Sequence, residues 1–383
     1  MLADKNICTG CGACAASCPR GCIQMQADRE GFRYPAVDSH RCVACRKCES
    51  VCPLLNQASE RKWMKAYGAK HKKESVRNNS SSGGVFYALA SSVMTRGGAI
   101  CGAAYTDDFA VEHQLIQNAA DMIKLQGAKY AQSCTEHLFP QLQSILEADR
   151  WLLFVGTPCQ VAGLRMFLGK EYDKLVLVDM ICHGVPSPMI WRKYLDYRAK
   201  QDLEKAKIVS INQRDKGTGW SKYRYSIRIE YESGNSYSSR QSEDPYMMGF
   251  VNNLYLRPSC SQCQFKGSNR CSDITLGDFW GVWEQHPQFD DDKGVSLVFI
   301  NTEKGAQLWD DLQGDLVTMA VSCEEALLQN PSALYSAEPH PMRNEFFRRH
   351  DGADFEKLVS ALLFGTSESK HFLRNLMRRI FKF

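Results

Sequence analysis

Two runs of cysteine share one spacing. CTGCGACAASCP sets Cys8, Cys11, Cys14 and Cys18 ahead of Pro19, and CVACRKCESVCP sets Cys42, Cys45, Cys48 and Cys52 ahead of Pro53, each ligand 34 positions after its counterpart. A cubane iron–sulfur cluster needs four thiolates around a compact core, and C-x2-C-x2-C lets one tight loop reach three of its corners. In the bacterial run ending in Cys-Pro, the fourth cysteine ligates the other cluster, so two copies interlock. Cys8, Cys11, Cys14 and Cys52 are therefore assigned to one 4Fe-4S cluster, and Cys42, Cys45, Cys48 and Cys18 to a second. A pair of zinc sites would use two C-x2-C pairs rather than two runs of four. Cys22, just past the first run, reads as a packed spare thiol.

More chemistry-bearing residues follow. Cys159 in FVGTPCQVAGLR and Cys182 in VDMICHGVPS fall at the ends of strand-like runs, where open α/β sheets place their sites. RPSCSQCQFKGSNRC adds Cys260, Cys263 and Cys271. The residues alone leave two readings, a third cluster or buried structural thiols. NSSSGGVF enters a helix as a Ser/Gly loop, which reads either as a phosphate cradle or as a simple cap. Neither G-x-G-x-x-G after a strand nor G-x4-G-K-[ST] occurs, so a standard dinucleotide fold and a phosphate-binding ATPase loop have no support. RDKGTGWSKYR gathers Arg214, Lys216, Trp220, Lys222 and Arg224, either as a binding loop for an anionic, ring-bearing substrate or as a solvated lead into a hairpin.

Positioning these groups takes a folded body, and 383 residues are enough for two or three domains without disulfide support. The start MLADKNICTG has no basic stretch followed by an apolar one, and no apolar run reaches membrane-spanning length. The expected setting is cytoplasmic and reducing, where 17 cysteines read as ligands or redox groups. A net charge of +4 is carried by the last few residues, so nucleic-acid binding is not expected.

KAYGAK, AICGAAYT, RWLLFVGT, KLVLVDMIC and SLVFINT read as strands. SGGVFYALASSVMT, HLFPQLQSILEA, PCQVAGLRMFLG, SPMIWRKYLDYRAKQ and EKGAQLWDDLQ read as helices. This rhythm predicts an α/β body. YRYSIRIEYESGNSYSSR alternates on both sides of Ser233-Gly234 and predicts a hairpin. The last seventy residues read as mostly helical, and KHFLRNLMRRIFKF opposes an apolar stripe to a basic side. Docking on its own domain is the plainer reading of that tail, with contact to a membrane surface or an acidic partner as the other.

The order of the cysteine runs, SSGGVFYALA, GAKYAQS, GTPCQVAGL, ICHGVPS, RDKGTGW and RPSCSQCQFKG…SDITLGDFWG resembles the coenzyme F(420) hydrogenase/dehydrogenase beta-subunit family over about residues 1–300. The resemblance implies an α+β / α/β chain with an N-terminal dicluster ferredoxin domain (1–57). A mixed α/β flavin-binding body follows, divided into 64–150 and 151–305, and then a helical C-terminal tail (306–383). It implies FAD, with Ser82, Gly83 and Gly84 near its phosphates, Lys129 near the flavin, and Gly156, Thr157 and Pro158 bordering it. It further implies Cys159, Cys182, Cys260 and Cys263 as ligands of a third 4Fe-4S cluster. Cys271 departs from the family pattern and could replace one of the four. Lys129 and His183 are the candidate catalytic residues: Lys129 either favours anionic reduced flavin or is a surface lysine with no role, and His183, beside Cys182, reads either as a proton donor or as a structural hydrogen-bonding residue. The expected function is an FAD- and iron-sulfur-dependent oxidoreductase that relays single electrons between clusters and FAD and exchanges a hydride with a small organic substrate. The competing expectation is an electron-transfer subunit that serves a partner enzyme, and either requires an electron-donor or acceptor protein.

Overall fold

A computed structural model describes residues 2–56, 61–201 and 207–365. The apolar tail stripe predicted after residue 365 lies outside them.

The N-terminal module folds with little regular structure. One hairpin, β1 (Ile23–Ala27) against β2 (Arg33–Val37), joins the two cysteine runs, and its turn needs the positive φ of Gly31. Each run ends in a single helical turn, Ala13–Ala16 and Lys47–Ser50, which leads into the Cys-Pro step.

The body is built on an eight-stranded sheet. Its strands are β3 (Lys65–His71), β4 (Ala99–Tyr105), β5 (Val111–Ile116), β6 (Leu152–Gly156) and β7 (Leu175–Met180). A smaller sheet of β8 (Ile208–Asp215), β9 (Ser226–Tyr231) and β10 (Ser236–Arg240) interrupts them. β11 (Ile274–Asp278), β12 (Ser296–Ile300) and β13 (Leu316–Val321) complete the large sheet. Its order is β13-β3-β12-β11-β7-β6-β4-β5. The contiguous strands β4, β6, β7 and β11 run parallel, and the flanking pairs are antiparallel. Every residue of β12 is buried, as a strand covered on both faces requires. β13 lies at the sheet edge on β3, so the sheet draws strands from beyond residue 305 and from both sides of residue 150.

Helix Val85–Thr95 packs on one face, around Ile100, Leu153, Val176 and Val298. Helices Phe139–Glu147 and Pro158–Leu168 cover the other face, where Cys11, Ala13 and Val51 of the N-terminal module join the same cluster of buried side chains. The module thus sits against the helix that carries Cys159. A separate cluster joins helix Pro188–Gln201, the three-stranded sheet and helix Phe355–Phe364. The hairpin predicted about Ser233-Gly234 forms, with Gly234 in the left-handed region.

Candidate cluster and cofactor site

Where a parallel strand ends, the chain must turn away from the sheet, and neighbouring strands bring their turns together. β6 ends at Gly156 and hands Thr157, Pro158 and Cys159 to the helix Pro158–Leu168. β7, its parallel neighbour, ends at Met180 just before Cys182. The turn Pro258–Gln262 brings Cys260 and then Cys263 to the same place, held there by a bridge between Pro186 and Leu256.

The four thiols line one small cavity, together with Thr9, Pro158, His183, Arg257, Lys266 and Arg270. Burial pushes the thiols of Cys159, Cys182 and Cys260 up to about 12, and each lies within electrostatic reach of others in the set. Thiols so buried stay neutral unless a positive centre binds them, and three cationic side chains in the lining suit a negatively charged thiolate-bound cluster. Thr157 Oγ1 lies 3.1 Å from Cys159 Sγ, and Val185 N–H donates to Cys260 Sγ at 3.4 Å. Contacts of this kind tune cluster potentials. Cys271 is elsewhere, beside Arg165, Asp179 and Arg61, and does not line the cavity.

Among the described residues, no three Cys, His, Asp or Glu side chains converge closely enough for a single metal ion. A cubane asks for that wider spacing, because each thiolate meets its own iron. In the N-terminal module, Cys14 interacts with Cys8, Cys52 and Cys48, and Cys52 with Cys8. Cys48 interacts with Cys18, and Cys22 with Cys42. The fourth cysteine of each run therefore approaches the other run, as interlocked clusters require. Cys42 and Cys45, the first two cysteines of the second run, are exposed. Cys22 is buried with its Sγ 3.3 Å from that of Cys18.

The two regions meet. Cys11 interacts electrostatically with Cys159, and a Cβ on Gly163 would lie 2.9 Å from Cys11 Sγ, so the glycine lets the first cysteine loop rest on the helix backbone. Arg257, fully buried, ties the loop down. Its Nε donates to Cys8 O at 2.9 Å, Nη1 to Gln132 Oε1 at 2.9 Å and Nη2 to Arg33 O at 3.0 Å. Gln132 Nε2 in turn donates to Thr9 O at 2.9 Å.

Sequence reasoning passed over a second supporting network. His113 Nε2 lies 2.9 Å from Val155 O, an obligate acceptor, so Nε2 carries the proton and Nδ1 accepts from Ser133 Oγ at 2.9 Å. Gln160 Nε2 donates to Ser133 Oγ at 3.0 Å, and Gln160 Oε1 accepts from Thr157 N at 3.0 Å in a capping box that fixes the turn before Cys159. Burial holds His113 down at about 4, against an ordinary 6.5. A depressed histidine stabilises the fold above pH 6.5, and the contribution is lost as pH falls toward 4 because only the unfolded chain takes the proton. Between pH 7 and pH 5 the unfolding free energy should drop by about 2 kcal/mol from this group. Urea midpoints measured for the parent and His113→Gln check this, since the variant should lack that part of the slope.

The residues expected near a flavin divide between two places. Gly83 is enclosed: a Cβ would lie 2.2 Å from Ala69 O, and its N–H donates to Ser296 Oγ at 3.0 Å. Ser82 Oγ donates to Val295 O at 3.0 Å. Gly84, in the left-handed region, leaves helix Val85–Thr95 without a side-chain cap, so that N-terminus keeps its unpaired N–H groups. Lys216 Nζ donates to Ser82 O at 2.8 Å, bringing RDKGTGW against this loop. Gln126 Nε2 donates to Ser80 Oγ at 3.3 Å, which brings the GAKYAQS segment alongside.

Lys129 Nζ donates to Lys124 O at 2.9 Å and Gln126 O at 2.7 Å, and burial lowers it to about 7. Pro158 lines the cysteine cavity instead, with Gly156 and Thr157 just before it in the chain. His183 lines that cavity, its Nε2 2.6 Å from Asn253 Oδ1, and burial lowers its pKa. Trp220 corrects an expectation. It is fully buried and stacked on Trp280, so it offers no face to a substrate ring. Arg214 is likewise buried, paired with Asp278 at 3.2 Å. Among the described residues no helix is long and apolar enough to cross a membrane.

The chain is similar to known proteins. Residues 149–324 match the family model for the C terminus of the coenzyme F420 hydrogenase/dehydrogenase beta subunit, and residues 7–55 match the "4Fe-4S dicluster domain". The F subunit of the F(420)H(2) dehydrogenase of Methanosarcina mazei is 22% identical over 331 residues, covering 82% of this chain and 85% of that protein. The coenzyme F420-dependent sulfite reductase of Methanocaldococcus jannaschii is 27% identical over 202 residues, 51% of this chain and 30% of the relative's length. A chain of the F420-reducing [NiFe] hydrogenase complex from Methanosarcina barkeri aligns over 84% of this chain and 94% of its own, at 16% identity and a TM-score of 0.46. Over residues 149–324 the chain thus matches the coenzyme F420 hydrogenase/dehydrogenase beta-subunit family, and over residues 7–55 a 4Fe-4S dicluster domain.

Proposed function

We propose that this chain is an iron–sulfur flavoprotein oxidoreductase that passes single electrons along three 4Fe-4S clusters and exchanges a hydride with a small organic substrate. The observation that carries the reading is the meeting of Cys159, Cys182, Cys260 and Cys263 in one cavity directly behind Cys8 and Cys11. Eight N-terminal thiolates hold two clusters, and the four cavity thiolates hold the third. Arg257 and Gly163 keep the first and third sets in contact, so electrons need not cross solvent between them.

Bound FAD supplies the conversion between single electrons and a hydride. The uncapped helix N-terminus after Ser82, Gly83 and Gly84 suits its phosphates, with Lys216 supporting the loop from below. Lys129, held by the carbonyls of Lys124 and Gln126 in its own segment, which Gln126 ties to Ser80, supplies a titrating ammonium that favours a negatively charged ring in its vicinity. Gly156, Thr157 and Pro158 shape the wall toward the cysteine cavity. His183, oriented by Asn253, is placed to deliver or take a proton there.

The name of the Methanosarcina mazei relative, one subunit of a dehydrogenase, favours a second reading in which electrons leave to a partner protein. The test is to reduce the anaerobic protein with dithionite, remove the excess, and offer oxidised coenzyme F(420) and other small hydride acceptors. Recovery of flavin absorbance with the chain alone supports the enzyme. Recovery only on adding an iron–sulfur acceptor protein makes it an electron-transfer subunit.

A further inference from the structure

The two N-terminal cluster sets face opposite ways. Cys8 and Cys11 are buried against the body, whereas Cys42 and Cys45 are exposed. Every residue from Arg41 to Lys47 is exposed, with Val43 at 60% and nearby Val37 at 44%. A thiolate pair at the surface brings its cluster edge within reach of an outside donor, and electron tunnelling falls off steeply with distance. Charge on this face is one-sided: Arg20, Arg41, Arg46 and Lys47 outnumber Asp38 and Glu49. A groove lined by Val37, Asp38 and Arg41 continues the face onto the hairpin.

An apolar centre ringed by cations over a redox centre suits a partner with the opposite rim. We infer that the Arg41–Lys47 face is where an acidic ferredoxin-type protein docks, trading one electron with the cluster of Cys18, Cys42, Cys45 and Cys48. The carrier's iron–sulfur centre loses one electron as this cluster gains one, or the reverse, and no bond or proton moves. Electrons then enter or leave the chain at the second cluster, and the first passes them between it and the body. The inference rests on the relay reading only for the two N-terminal clusters.

The test uses the full-length holoprotein and reads bleaching of cluster absorbance in stopped flow, so the outcome is independent of flavin and substrate. Reduced acidic ferredoxin is one electron source and methyl viologen radical cation the other. Arg46→Glu/Lys47→Glu should slow the ferredoxin reaction by about ten-fold or more at low ionic strength, and the loss should vanish near 1 M salt. The methyl viologen reaction should be unchanged or faster, since its charge is positive. An unchanged ferredoxin rate, or equal slowing with both reductants, overturns the inference. If the double glutamate variant loses iron, Arg46→Gln/Lys47→Gln is read by the same criteria, with a fall of a few-fold expected.

Discussion

Replacing Cys260 and Cys263 together by serine should lower the iron content from about twelve to about eight atoms per chain, given four irons per cubane site. The two cysteines leave the chain at one short turn, and their thiols line the cavity that Cys159 and Cys182 also face. Serine keeps the volume but is a poor iron ligand, so the N-terminal clusters should survive while the inner one does not. Functionally the loss should be far larger than one third. On the proposed relay, electrons delivered to the first cluster would have no acceptor behind Cys11, and reduction of the proposed FAD by an external one-electron donor should fall by about two orders of magnitude or more. Cys271→Ser is the matched control, because that thiol faces Arg165 outside the cavity, and its iron content should stay at the parent value. Unchanged iron in the double variant would remove the third cluster.

Arg257→Ala should break the joint between the N-terminal module and the body. The guanidinium spends its donors on Cys8 O, Arg33 O and Gln132 Oε1, and stacks on Tyr34 at 4.2 Å. Its removal leaves buried acceptors unpaired and a hollow beside the cavity. Breaking a buried charged network of this kind costs about 3–5 kcal/mol. For a chain of 383 residues that is about 4–6 °C in the unfolding midpoint. Anaerobic calorimetry measures the midpoint, and rapid-mixing spectroscopy measures electron transfer from the N-terminal clusters to the body, which should slow at least ten-fold. Arg257→Lys restores a charge but not the three-way geometry and should recover only part of either. A midpoint and a transfer rate both equal to the parent's would show that Arg257 is not the joint.

Much of this was legible in the sequence, for reasons that differ by region. The 4Fe-4S dicluster domain could be read because a cluster imposes its cysteine spacing locally, and the proposed crossing of Cys18 and Cys52 rests on that spacing. The runs RWLLFVGT and KLVLVDMIC announced strands, which in turn placed Cys159 and Cys182 at strand ends; that the two strands pair in parallel comes from the fold. Three strands of the large sheet were missed. Val111–Ile116 and Leu316–Val321 are edge strands with mixed burial, and Ile274–Asp278 is short and ends in Gly-Asp. The sheet order was out of reach, since pairing β3 with β12 joins segments more than two hundred residues apart.

The supporting contacts were hidden for the same reason. His113, Ser133 and Gln160 form one network, yet the sequence offers only GAKYAQS and GTPCQ as separate stretches. Arg257 stood in plain view before Pro258, but nothing local says that its partners are Cys8, Arg33 and Gln132. Trp220 was misread because an aromatic in a Gly-rich, basic loop looks exposed until Trp280 is found against it.

The most direct test of the account is to purify the protein without oxygen and quantify iron, acid-labile sulfide and flavin on one sample. The three-cluster relay predicts about twelve irons, about twelve sulfides and one FAD per chain. About eight irons with no flavin would leave only the N-terminal dicluster standing and would contradict the relay.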